Sequence, residues 1–400
     1  MLLLACSLWP ASVAALTFDE ALRLSMEAPR LRGLQTALAE RERLDKQLPR
    51  ATGNPELVLM PGWGLGAGPI WQATLEQSWN LDGLAAARRQ AAAGERAALA
   101  AEWRAKALEQ RLDVAAAWLQ LWSAQQQLAA AKTALTTARQ WTSTLERAAA
   151  RGAQTVADVA EGKLATAEAE LLVVTLEGDL HDRSVALARA TALPAGQLPE
   201  ATGAPPRPQL PDAAAWQAWL ARAAELPSAV AAQLQAAAER GRALETTASL
   251  GSALVLGAQA QRDPQGATAL LATVGVRWAA LVRGERQRAQ LAETARKAEA
   301  EVAHAQLEAG HQLAAAWHEV EHQREREQVL CKTLRTVADA LLLGRQRQFE
   351  RGGATVFEVL RARQAQLDAE RRCLESTGQR AWAEVRAWQL LAISRQGGGQ

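Results

Sequence analysis

The sequence predicts a mainly α protein built from two copies of a long helical hairpin, with a small membrane β part of four strands that several copies share as one barrel. Three observations predict it: an internal repeat, helical stretches too long for a globular core, and alternating segments placed before each long helical run.

The repeat is the strongest signal, because self-similarity at a fixed period reports the architecture directly. Arg151-Gly152-Ala153-Gln154-Thr155-Val156-Ala157-Asp158-Val159 returns as Arg351-Gly352-Gly353-Ala354-Thr355-Val356-Phe357-Glu358-Val359. Ala115-Ala116-Ala117-Trp118 returns as Ala314-Ala315-Ala316-Trp317, Asp82-Gly83 as Arg283-Gly284, and Glu27-Ala28-Pro29 as Glu225-Leu226-Pro227. The prolines and glycines between Leu193 and Pro211 read as the linker, so the first repeat is expected over 16–205 and the second over 206–394.

Each repeat has a helical lead, Phe18 to Arg50 or Ala213 to Ser249, then strands at about 55–80 or 251–280, then a helical hairpin at 84–194 or 285–393. From Leu84 to Ala150 there is no Pro and one Gly, so one helix of about 100 Å is expected at 1.5 Å per residue. A helix that long buries its apolar stripe only against a neighbour, so the segment beyond the Arg-Gly turn folds back beside it. Thr155 and Thr355 are placed to cap the returning helices, and Asp158 and Glu358 to complement their positive ends. The Ala-rich, Phe-poor, Tyr-free composition favours such closely packed helices.

Ile70 to Asn80 alternates as a strand, with Trp71, Ala73, Leu75 and Trp79 on one face and Gln72, Thr74, Glu76, Ser78 and Asn80 on the other; Gln77 is the one polar intruder. Trp71 and Trp79 lie about 27 Å apart along a strand, the height of an apolar band with an aromatic girdle residue at each rim. Glu56 to Trp63, Ser252 to Arg262 and Thr268 to Trp278 alternate less strictly, and Pro61-Gly62 weakens the strand signal at the end of the first of them. Four strands cannot close a barrel in lipid, so several copies must share one.

Residues 1–15 read as a signal peptide with a shortened start, cut near Ala15; Leu3-Leu4-Ala5-Cys6 resembles a lipoprotein box, but only five residues precede Cys6. Residues 395–400 are expected to form a disordered tail. No later apolar run of about 18 residues is present to cross a bilayer as a helix. Basic and acidic residues number 45 and 43, interspersed, so no block marks a nucleic-acid partner.

Leu16-Thr17-Phe18-Asp19-Glu20-Ala21-Leu22 with Pro29-Arg30-Leu31, the Gln77 to Gly83 strand-to-helix junction, and the Gly-x-x-Thr-x-x-(Asp/Glu)-Val turns from Gly152 and Gly352 resemble the outer-membrane factors of the TolC family. The resemblance implies a homotrimer with a twelve-strand barrel in outer-membrane lipid and a twelve-helix tunnel across the periplasm. It further implies a passive, porin-like channel for efflux or type I secretion, working with a periplasmic adaptor (membrane fusion protein) and an inner-membrane pump of RND or ABC type. The turns would then be the periplasmic tip, with Arg151, Gly152, Thr155, Asp158, Arg351, Gly352, Thr355 and Glu358 as gate residues. One departure is the absence of the family's Pro before the second hairpin, where this chain has Ala279-Ala280-Leu281.

Cys331 and Cys373 sit equally far from Gly352 on the two arms of the second hairpin, so they share a height and can form a disulfide if they also face each other. His318-Glu319-Val320-Glu321-His322 satisfies the H-E-x-x-H pattern of zinc peptidases, but Glu325 and Gln328 stand where a third ligand spacing would need Gly or His. His304, His311 and His318 recur every seven residues as one stripe. No nucleophile, phosphate loop or complete metal set emerges, so neither enzyme activity nor a cofactor is expected. The other function classes are a periplasmic adaptor-like protein and a structural coiled coil.

Overall fold

The structure, a computed structural model, describes residues 14–46, 55–64, 68–81, 83–194, 196–249, 251–262, 266–277 and 285–397. The leader through residue 13 with Cys6, Asp82, Trp278, Ala279-Ala280-Leu281, Arg283-Gly284 and residues 398–400 lie outside the described residues.

The first repeat runs β1 (Ala14–Leu16), α1 (Phe18–Ser25), α2 (Pro29–Lys46), β2 (Glu56–Gly64), β3 (Gly68–Asn80), α3 (Leu84–Ala150) and α4 (Val156–Ala190). After β4 (Pro199–Ala201) in the linker region, the second runs α5 (Ala213–Leu220), a 3-10 turn (Ala223–Glu225), α6 (Pro227–Ser249), β5 (Ala253–Arg262), β6 (Thr268–Arg277) and α7 (Glu285–Glu327). A π-turn (Gln328–Leu334) joins α7 to α8 (Arg335–Glu350), and α9 (Val356–Gly397) closes the chain. Helix α3 is 67 residues long, because nothing between Leu84 and Ala150 removes a donor or forces the backbone out of the helical region.

Two features depart from the sequence expectation. The linker region is not wholly irregular: β4 pairs in parallel with β1 through Ala14↔Pro199, Ala15↔Glu200 and Leu16↔Ala201. Pro199 is tolerated because it opens the strand, where a missing N–H costs least. The tail expected from residue 395 is helical as far as Gly397, since Ser394-Arg395-Gln396 contains no helix breaker.

The chain divides into two compact units. The first comprises Met1–Arg32, Lys106–Ala223 and Gly310–Gln400. Its main core gathers Leu16, Leu22, Val114, Trp118, Leu121 and Leu187. Smaller layers lie along the hairpins: Leu128, Ala131, Val173 and Leu176 between α3 and α4, and Leu342, Val359 and Ala362 between α8 and α9.

The second unit comprises Gly33–Ala105 and Ala224–Ala309 and holds one antiparallel sheet, ordered β2-β3-β5-β6. Helices α3 and α6 approach closely there through small residues. A Cβ added at Gly241 would stand 2.9 Å from Ala91 Cα, and one at Gly94 would stand 3.3 Å from Ala238 Cα. Charged pairs flank this contact, with Arg242 Nε 2.6 Å from Glu95 Oε1 and Arg88 Nε 3.2 Å from Glu245 Oε1.

Candidate functional site

The sheet register sorts the strand residues onto two faces, because directly opposed residues of antiparallel strands project to the same side. Leu57↔Leu75↔Ala258↔Ala272 and Leu59↔Ala73↔Ala260↔Leu270 form two apolar rows. Trp79↔Leu254↔Val276 adds a third, and Gln77, the polar residue of β3 on this face, is matched to Leu256↔Val274. This face is open to its surroundings: Leu270 is 81% exposed, Val274 75%, Leu59 65% and Leu57 61%. Trp71 belongs to it at 38% exposure, opposite Pro61 and Arg262, while Trp79 is half-buried.

The other face carries Glu56↔Glu76↔Gly257↔Thr273, Thr74↔Gln259 and Gln72↔Gln261. A Cβ at Gly257 would stand 2.5 Å from Thr273 Oγ1, so the Thr273 side chain would have to turn away. Strands β2 and β6 are the two edges of the sheet. Pro61 lies within β2, as an edge strand has one side that needs no donor.

The two Arg-Gly turns are built alike. Gly152 (φ 74°) and Gly352 (φ 73°) take the left-handed conformation that ends a helix without a Cβ penalty. Ala153 N–H donates to Ala148 O at 2.9 Å and Gly152 N–H to Ala149 O at 2.9 Å; Gly353 and Gly352 repeat the pattern onto Gln348 and Phe349 at 2.8 and 2.9 Å. These are Schellman closures. A capping box follows at once in each repeat. Thr155 N–H donates to Asp158 Oδ2 at 2.8 Å and Asp158 N–H to Thr155 Oγ1 at 3.1 Å. Thr355 N–H donates to Glu358 Oε2 at 2.9 Å and Glu358 N–H to Thr355 Oγ1 at 3.3 Å.

The acidic residues of the turns are therefore engaged within their own hairpins. The Thr155 hydroxyl and then its backbone N–H hold the Asp158 carboxyl below its ordinary range. The Thr355 backbone N–H does the same for Glu358, with a contribution from Arg345, whose Nη1 lies 3.1 Å from Glu358 Oε1. Arg151 and Arg351 are exposed and form no ion pair among the described residues.

Cys331, in the π-turn, and Cys373, on α9, are joined as a disulfide with Cα atoms 4.9 Å apart. Beside them lies a charged network that single-residue reading missed. Buried Glu384 accepts from Arg324 Nε at 2.9 Å and Arg380 Nε at 3.1 Å, and Arg380 also pairs with Glu327. Its one sequence signal is the helical spacing of Arg380 and Glu384.

His318 and His322 stack with ring centroids 6.3 Å apart, and Glu319 Oε1 accepts from Gln323 Nε2 at 2.7 Å. No cluster of three or more His, Cys, Asp and Glu side chains suited to a metal ion occurs among the described residues. Among them, too, no helix is long and apolar enough to cross a membrane.

No family profile and no curated protein matches the chain in sequence. Solved structures match it in fold. CusC, a protein of transmembrane channel formation, superposes with a TM-score of 0.78 at 15% identity, over 96% of this chain and 95% of its own. The outer-membrane channel OprN gives 0.73 at 20% identity, over 94% and 89%. The outer-membrane protein VceC of Vibrio cholerae gives 0.68 at 18% identity, over 94% and 95%. With its duplicated hairpins and four-stranded sheet, the chain has the fold of the TolC-like outer-membrane channels.

Proposed function

We propose that the chain is one subunit of a homotrimeric outer-membrane channel, not an enzyme, that extends into the periplasm. It passively conducts substrates delivered by an inner-membrane pump of RND or ABC type and a periplasmic adaptor, in efflux or type I secretion. The observation that carries this reading is the sheet, which exposes one apolar face and ends in two open edges. In lipid an apolar face is at home, but each unpaired backbone group costs several kcal/mol, so the edges must pair with those of neighbouring copies. Three four-stranded sheets then make a twelve-stranded barrel with the Glu56, Glu76, Gln72 and Gln259 face around its lumen. Trp71 and Trp79 serve as the aromatic girdle of its outer face.

The helices support the same assembly. Leu164, Ala167, Leu171, Val174 and Gly178 of α4 are all exposed and fall at alternating three- and four-residue steps, a register that continues through His181 to Val185. That spacing is a coiled-coil seam, and another copy of the chain covers it in the assembled duct. The turns at Gly152 and Gly352 form the periplasmic tip. With Asp158 and Glu358 committed to caps, Arg151 and Arg351 are the charges we assign to contacts across the ring at the gate.

Planar-bilayer recording of detergent-purified protein tests the reading. Stepwise, non-saturating conductance that favours cations is expected from the carboxylates of the luminal face. Absence of conductance, together with full extraction by detergent-free buffer, would replace the reading with a periplasmic adaptor-like or structural coiled-coil protein.

A further inference from the structure

The two hairpins hold their arms together differently at one level. Counted from the Gly152 and Gly352 turns, Cys331 stands in the place of Ala131, Cys373 in that of Val173 and Ser376 in that of Leu176. In the first hairpin those three residues and Leu128 make one buried apolar layer. The second hairpin lacks that layer: Glu327, just before the π-turn, is paired with Arg380, and Ser376 is fully buried with a hydroxyl that has no hydrogen-bond partner among the described residues. The disulfide replaces apolar burial at this height.

The same level contains the π-turn, and the repeat explains why. Trp118 and Trp317 are one residue closer in sequence than Gly152 and Gly352, so the ascending arm of the second hairpin carries one residue more between these landmarks. A π-turn is how a helix absorbs one extra residue. Helix α3 has no such insertion and runs unbroken, whereas Gln328–Leu334 takes the π form with Cys331 inside it.

We propose that the Cys331–Cys373 bond is a redox-set staple: formed, it fixes the π-turn against α9, and opened, it frees this level of the second hairpin alone. Cys331 is half-buried and Cys373 only 6% exposed, so Cys331 is the more accessible cysteine of the pair. A thiolate of a dithiol reductant bonds to Cys331 Sγ and expels Cys373 as a thiolate, which takes up a proton. The second thiolate of the reagent then attacks its own sulfur in the mixed disulfide, freeing Cys331, which is protonated in turn. Two electrons and two protons pass to the cysteine pair, and the reagent leaves as a cyclic disulfide. The staple stands independently of the channel reading, since it concerns packing within one chain.

Hydrogen exchange on the full-length, detergent-purified protein tests it, with and without dithiothreitol. Peptides over 325–335 and 370–380 are expected to exchange about tenfold faster or more after reduction, while 125–135 and 170–180 stay unchanged, because local opening reports local contacts. A variant with the first hairpin's residues at this level (Cys331→Ala, Cys373→Val, Ser376→Leu) is expected to exchange alike under both conditions. Free thiols in the unreduced protein, or equal exchange in both hairpins after reduction, would overturn the proposal; that arm needs no substitution and so does not depend on the variant folding.

Discussion

The indole N–H of Trp118 donates to the backbone carbonyl of Leu16 at 2.9 Å, so a residue deep in α3 anchors strand β1. The same carbonyl accepts from Thr202 N–H at 2.9 Å, and Phe18 meets the Trp118 ring edge-on at 5.4 Å. Its repeat counterpart, Trp317, instead stacks on Trp216 at 4.9 Å. Trp118→Ala is expected to cost about 3–5 kcal/mol, through lost burial and the cavity left behind. Trp118→Phe is expected to cost about 1 kcal/mol, because the Leu16 carbonyl keeps its bond from Thr202. Guanidinium midpoints of the detergent-solubilised protein measure both.

Close helix contact at Gly241 makes a second expectation. A methyl group there reaches within 2.9 Å of Ala91 Cα, which is backbone and cannot rotate away. Gly241→Ala should therefore separate α6 from α3 and destabilise by about 1–3 kcal/mol despite its better helix propensity. A rise in stability, measured in the same way, would show that the two helices are not in contact at this point.

Acid should loosen the caps after the Gly152 and Gly352 turns. Asp158 and Glu358 are held below their ordinary range by hydrogen bonds from Thr155 and Thr355, so at a given low pH the folded chain binds fewer protons there than the unfolded one. The capping contribution is complete above the ordinary carboxylate range and is lost as pH falls through the lowered folded values. Thr155→Ala removes one cap at about 1 kcal/mol. Amide exchange in the first turn of α4 should rise on acidification in the wild type and be raised already at neutral pH in Thr155→Ala.

Charge placed on the sheet should be judged by face. Leu270→Arg puts a cation on the apolar face and is expected to cost about 2–4 kcal/mol near the bilayer midplane, seen as lost membrane insertion. Gln261→Lys, on the opposite face, should insert normally and shift ion selectivity instead. Equal insertion of both would contradict the assignment of faces.

Much of this architecture was legible because its signals are strong and local. Glycine at a positive φ and threonine before an acidic residue mark Gly152, Gly352, Thr155 and Thr355, and Trp71 to Asn80 alternates along most of its length. Strands β1 and β4 left no trace, since three residues paired once carry no period. The apolar face of β6 was obscured because Leu270 and Leu271 are adjacent, and only the register assigns them to opposite sides. The π-turn was written in the sequence as a one-residue difference between repeats, visible only when Trp118/Trp317 and Gly152/Gly352 are compared together.

Shared closure of the sheet is the central claim, and a cryo-EM map of the protein extracted from membranes in detergent tests it most directly. The expected result is a three-fold ring in which β2 of each copy is hydrogen-bonded to β6 of the next and Leu57, Leu59, Leu270 and Val274 face the detergent belt. A monomer that is stable in detergent-free buffer, with both sheet edges covered by its own chain, would contradict it.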